Sequence, residues 1–88
     1  MAQDFTLTVT CAASSGIVAA VTTYLYREGF YLSELHQFDD ELSGRFFLRA
    51  VGRVTRGSNT ISELEAGFPS VAEPLGMTWA FHLSLIHI

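Results

Sequence analysis

The chain has 88 residues, a formal net charge of −4, and 49% hydrophobic against 16% charged residues. That length is one domain, the apolar share excludes a disordered tail, and the acidic balance gives no general attraction to nucleic acid or anionic lipid. A lone cysteine, Cys11, excludes an internal disulfide and suits a reducing, cytoplasmic setting. Met1 is followed by Ala-Gln-Asp, so no signal peptide is expected. No apolar run reaches the ~18 residues of a membrane span.

Phe5, Leu7, Val9 and Cys11 alternate with Thr6, Thr8 and Thr10, which predicts a strand with one apolar and one threonine face. The small residues Ala12 to Gly16 make a tight loop. Ile17, Val21 and Leu25 then recur at helical spacing, with Ser14 or Ser15 as cap and Gly29 at the C′ position. Phe30 to Phe38 reads as a strand with apolar groups on both faces, Asp39 to Gly44 as a turn, and Phe46 to Val54 as the returning strand of a hairpin. Thr60 with Glu63 has the capping-box pattern. Ile61, Leu64, Phe68, Val71 and Leu75 form an amphipathic stripe that Pro69 should kink or break, and Gly76 closes it. Met77, Trp79 and Phe81 alternate as a last, core-facing strand. The order β-α-β-β-α-β is α+β and ferredoxin-like: a four-stranded antiparallel sheet with two helices on one face.

The loop after Cys11 admits several chemistries. A soft metal needs a second thiolate, and Ser14 stands where a Cys-x-x-Cys carrier would have one, so no metal site is expected and Cys11 reads as a half-buried small hydrophobe. Phe47 between Arg45 and Arg49 loosely suggests an RNA-stacking strand, but the first strand offers only threonines and the charge is acidic; no nucleic acid is expected. Acyl-phosphate hydrolysis needs a cation that Ala12 to Gly16 lacks. A regulatory role remains, in which exposed N–H groups take a carboxylate; a plain tight turn reads alike. His36, His82 and His87 are structural, and Asp39, Asp40 and Glu41 lack the spacing of a calcium loop.

The segments "QFDD" (Gln37 to Asp40), "GRFF-L-R" (Gly44 to Arg49) and "GMTW" (Gly76 to Trp79) stand in an order and spacing that, with the βαββαβ pattern, resembles the N-terminal ACT domain of the formyltetrahydrofolate deformylase family over about Phe5 to His82. The resemblance implies a regulatory and dimerisation domain, residues 1–82. The full-length enzyme it implies hydrolyses 10-formyltetrahydrofolate to formate and tetrahydrofolate for purine synthesis and one-carbon balance. The catalytic Asn, His and Asp of the family lie in a formyltransferase-like domain that follows, so no catalytic residue and no cofactor is expected here. Implied partners are a second ACT domain, that C-terminal domain, and methionine or glycine as effector. The family reads Cys-Pro-Asp-x-x-Gly where this chain has Cys11, Ala12, Ala13, Ser14, Ser15 and Gly16. Without the Asp no charge holds an ammonium, and Ser14, Ser15, Gly16, Ile17 and Val18 are left as the candidate ligand-binding residues. The alternative is a free-standing ACT-type sensor or interaction module. Tyr31, Leu35 and Phe47 are expected on the sheet face away from the helices, as an interface. "LSLIHI", Leu83 to Ile88, back-translates into the mosaic-end sequence of transposase-made libraries. Residues 83–88 are therefore read as an adapter tail, with a natural extension of the last strand as the alternative.

Overall fold

The computed structural model describes residues 4–54 and 61–84, of which residues 83 and 84 are described by backbone alone. The elements are β1 (Asp4–Ala12), α1 (Ile17–Arg27), β2 (Phe30–Asp40), β3 (Arg45–Val54), α2 (Ile61–Gly67), α3 (Pro69–Leu75) and β4 (Thr78–Ser84). The strands make one sheet in the order β2-β3-β1-β4, and every neighbouring pair is antiparallel. This is the expected ferredoxin-like order, with three helices in place of two.

The threonine alternation of β1 sorts the sheet into two faces. Phe5, Leu7, Val9 and Cys11 point into one core with Ile17, Val21 and Leu25 of α1, Leu64, Phe68 and Ala72 of the α2–α3 segment, and Phe81. Burial of each such side chain contributes roughly 1.5–3 kcal/mol, and that burial, more than propensity, holds helices this short in place. Cys11 is fully buried rather than half-buried; burial pushes its thiol pKa up, opposed by the Arg45 guanidinium.

Pro69 breaks the second helix outright. It occupies the first turn of α3, where its missing N–H costs nothing, and Phe68 becomes the joint between the two pieces. That joint is fully buried. The Phe68 ring packs edge-on against Tyr24 at 5.4 Å, Trp79 at 4.8 Å and Phe81 at 5.7 Å. The Tyr24 hydroxyl donates to the Leu64 carbonyl at 2.8 Å, tying α1 to α2. Pro74 is tolerated inside α3, and Gly76 ends it in the left-handed region. Thr60 of the expected capping box lies outside the described residues, as do residues 85–88 of the tail. Leu83 and Ser84 pair with Phe5 and Asp4 as the end of β4.

Two local expectations are corrected. Neither Ser14 nor Ser15 caps α1: Gly16 holds the N-cap position at φ 84° with no side-chain bond, a left-handed backbone that favours glycine. The turn of the hairpin is also shorter than expected, because Asp39 and Asp40 still pair with Phe46 and Arg45. The Asp40 carboxylate then accepts from the Leu42 N–H and the Ser43 hydroxyl, closing the turn from within.

Candidate functional site: the uncovered sheet face

The helices cover one side of the sheet and leave the other open. Strand register arranges that open side in rows across β2, β3, β1 and β4. Phe38, Phe47, Thr10 and Thr78 form the first, and His36, Arg49, Thr8 and Ala80 the second. Glu34, Val51, Thr6 and His82 form the third, followed by Tyr31, Arg53 and Asp4. The first two rows line a shallow groove of about 470 Å³.

Phe38, Phe47 and Ala80 line the groove together with Thr8, Thr10, His36 and Arg49. The Phe38 and Phe47 rings lie 6.3 Å apart with a 32° tilt, and both remain exposed. The Arg45 guanidinium donates to the Thr10 hydroxyl at 3.2 Å. Arg49 approaches Glu34 at 3.9 Å, and His36 lies 3.4 Å from the same carboxylate. Arg53 stands 3.8 Å from Asp4 and 5.0 Å over the Tyr31 ring. These are solvated pairs, each worth ~0–1 kcal/mol, so they orient side chains more than they stabilise the fold.

Of the expected interface residues, Tyr31 and Phe47 do lie on this face. Leu35 does not. It pairs with Ala50, on the helix side of the sheet, and packs against the core. The cause is a β-bulge between Leu32 and Glu34. The extra residue, Ser33, reverses the alternation, so that Glu34, His36 and Phe38 face out where an unbroken count from Tyr31 would have placed Leu35. Ser33 itself donates to the Val51 carbonyl at 3.0 Å. The same slip hid Phe38, the aromatic partner of Phe47, from the sequence reading.

The second candidate region is the β1–α1 loop. Ser14, Ser15 and Gly16 are exposed, Ile17 is buried in the core and Val18 is partly buried. The Ala13 N–H donates to the Gly44 carbonyl at 2.9 Å, fastening the loop to the hairpin. The Gly16 carbonyl accepts from Ala20 as the first helical bond, so the first-turn N–H groups of α1 have no intrahelical partner.

Neither region assembles reactive groups. Among the described residues no three His, Cys, Asp or Glu side chains gather as a metal would need. Cys11 faces the core with its thiol pKa raised, the opposite of an activated nucleophile. No helix among the described residues is long and apolar enough to cross a membrane. The arrangement is suited to binding.

No protein-family model matches the sequence. Individual proteins do. A formyltetrahydrofolate deformylase from Bacillus subtilis is 39% identical over 79 residues, which is 89% of this chain and 26% of that protein. The crystal structure of a formyltetrahydrofolate deformylase from Burkholderia mallei superposes with a TM-score of 0.82 at 40% identity, over 92% of this chain and 28% of that one. An ACT domain protein from Streptococcus pneumoniae shares the fold, with a TM-score of 0.79 at 19% identity over 99% of this chain and 100% of that one. The chain thus spans about a quarter of the length of the curated relatives it matches, 26% of each. With the fold, the strand order and this similarity together, the chain has the fold of an ACT domain and is homologous to the N-terminal region of formyltetrahydrofolate deformylase.

Proposed function

We propose that the chain is the regulatory and pairing module of a formyltetrahydrofolate deformylase, an enzyme that hydrolyses 10-formyltetrahydrofolate to formate and tetrahydrofolate. In that setting the formate supplies purine synthesis, the reaction balances the one-carbon pool, and the module works in the cytoplasm. The observation that carries the reading is identity of 39% sustained over 79 residues, nearly the whole chain. In this reading catalysis is left to a formyltransferase-like domain.

The effector of this reading is methionine or glycine, held by its carboxylate at Ser14, Ser15, Gly16, Ile17 and Val18. Exposed first-turn N–H groups and the positive end of the α1 dipole favour an anion there. Calorimetric titration of each amino acid into the 88-residue chain tests it. Saturable heat from either, reduced by Gly16→Val, supports the site; no heat from both removes the effector from the reading.

A second reading has its own support. The Streptococcus pneumoniae ACT domain protein is matched over 100% of its length, so an ACT domain of this size exists as a chain in its own right. A free-standing sensor or interaction module is therefore the alternative. Sequencing the gene beyond codon 82 separates the two: an open frame encoding a formyltransferase-like domain with Asn, His and Asp supports the enzyme, and an immediate native stop supports the module.

A further inference from the structure

We infer that the groove on the uncovered face is a binding site for a planar aromatic carboxylate, whose ring packs on Phe38 and Phe47 and whose anion meets Arg49. The groove lies on the opposite side of the sheet from α1, so the inference goes beyond the effector reading above and stands or falls without it.

The residue pattern of β1 makes the groove. Its threonines lay short side chains in the bed at Thr8 and Thr10, and β4 adds Thr78 and Ala80 beside them. At the β2 edge, beside the hairpin, the bed ends against two tall side chains, Phe38 and its cross-strand partner Phe47. A low bed closed at one end by aromatic rings leaves about 470 Å³, within the ~300–1,000 Å³ of sites that hold small organic ligands.

The rings call for a flat apolar group. Phe38 and Phe47 remain 62% and 41% exposed. Their centroids lie 6.3 Å apart, toward the loose end of the range for an aromatic pair, so each keeps surface against which a further ring can pack.

The charges call for an anion. The chain as a whole is at −4, yet among the described residues no Asp or Glu lines the groove, whereas Arg49 does, with His36 opposite it. Arg49 follows Phe47 by two positions on the same face of β3, a step of about 6.6 Å along a strand. A bicyclic ring with an attached carboxylate bridges that span. Glu34 stands 3.9 Å from Arg49 in the next row, too far for a hydrogen bond, so the guanidinium donors remain for a ligand. Asp40 is occupied in the hairpin turn, where its carboxylate accepts from the Leu42 N–H and the Ser43 hydroxyl. The Thr10 oxygen accepts from Arg45 at 3.2 Å, which leaves its own proton for an anion and strengthens it as a donor. A free amino acid is a poorer occupant, because no carboxylate in the lining pairs with its ammonium.

The test is an amide-resolved NMR titration of the 88-residue chain with naphthoate, and with naphthamide as its uncharged match. Naphthoate is expected to shift the amides of Thr10, Phe47, Leu48 and Arg49 saturably, with a dissociation constant on the order of 1 mM for a ligand this small. Naphthamide should bind about fivefold more weakly, the share of one solvated ion pair. Arg49→Gln should lower the affinity for naphthoate to that for naphthamide and leave naphthamide unchanged, and Phe47→Thr should weaken both. Both positions are exposed, so neither change empties the core. Absence of saturable shifts overturns the inference, and so does equal affinity for the acid and the amide. Shifts confined to Ser14 to Val18 overturn it by placing the anion at the start of α1. Groove shifts that follow protein rather than ligand concentration overturn it by placing a second copy of the chain there.

Discussion

The bond between Tyr24 and Leu64 joins the two halves of the helix layer, and its loss should be visible as a pH effect confined to one residue. The Tyr24 hydroxyl donates to the Leu64 carbonyl at 2.8 Å, and that carbonyl also accepts from the Phe68 N–H at 3.1 Å. Tyr24→Phe therefore removes one bond without orphaning its acceptor, and at neutral pH should cost only ~0.5–1.5 kcal/mol. The larger effect appears in base. Burial, with a smaller contribution from the Glu28 carboxylate, pushes the Tyr24 pKa from 10.0 to about 12. The folded state thus holds this proton more tightly than the unfolded chain. Its stabilisation is complete below pH ~10 and is lost as pH rises toward ~12. Linkage gives a loss of about 1.4 kcal/mol by pH 11, part of about 2–3 kcal/mol in all. Urea unfolding followed through the single Trp79, which packs 4.8 Å from Phe68, should show the native chain losing more stability between pH 8 and pH 11 than Tyr24→Phe does. Every other residue is common to both proteins, so the difference between them reports on Tyr24 alone. Parallel declines would refute the argument, because Tyr24 would then titrate as it does in the unfolded chain.

Gly52→Ala should destabilise the protein at the upper end of the ~1–3 kcal/mol of overpacking or beyond it, read as a lower urea midpoint. A Cβ there would strike the Tyr31 carbonyl oxygen and lie 2.6 Å from a Phe30 ring carbon. The first of these is backbone and cannot rotate away, so an unchanged midpoint would mean that β2 does not cross β3 in this register. Phe68→Ala should cost ~3–5 kcal/mol and lower the melting temperature by about 12 °C or more. The ring is fully buried among Tyr24, Trp79 and Phe81, and a shift of a few degrees by calorimetry would place the joint at the surface.

The parts of the fold that were legible in the sequence are those where one local rule acts alone. Strict alternation from Phe5 to Cys11 gave both faces of β1, and the spacing of Ile17, Val21 and Leu25 gave the buried stripe of α1. Pro69 announced the break in the second helix, since a proline ring is incompatible with the preceding turn whatever surrounds it. The misplaced features depended on a partner. Ser33 is an ordinary strand residue until β3 lies beside it, and only that pairing reveals the bulge that turns Leu35 inward and Phe38 outward. The capping of α1 failed for a related reason: Ser14 and Ser15 are good caps in isolation, but the Ala13 N–H is bound to Gly44 across the hairpin and the chain enters the helix through Gly16 instead. The open face was legible through Tyr31 and Phe47, but Phe38, the ring beside Phe47, reached it only through the bulge.

That bulge also links the fold to what the face can do. With unbroken alternation, β2 would present Tyr31, Ser33, Leu35 and Gln37 to the open side, and no acid would stand beside Arg49 and no second ring beside Phe47. The extra residue rotates the strand by one position. It brings Glu34 to 3.9 Å from Arg49, His36 to 3.4 Å from Glu34, and Phe38 to 6.3 Å from Phe47, while Leu35 fills the core above Ala50. A one-residue slip exchanges the whole face of a strand, so the paired rings and the Glu34–Arg49 contact of the uncovered side have a common origin in the extra residue, Ser33. Deleting Ser33 would join Leu32 directly to Glu34 against Gly52 and Val51 of β3, so that variant should keep Glu34, His36 and Phe38 on the open face and Leu35 in the core, with the bulge gone.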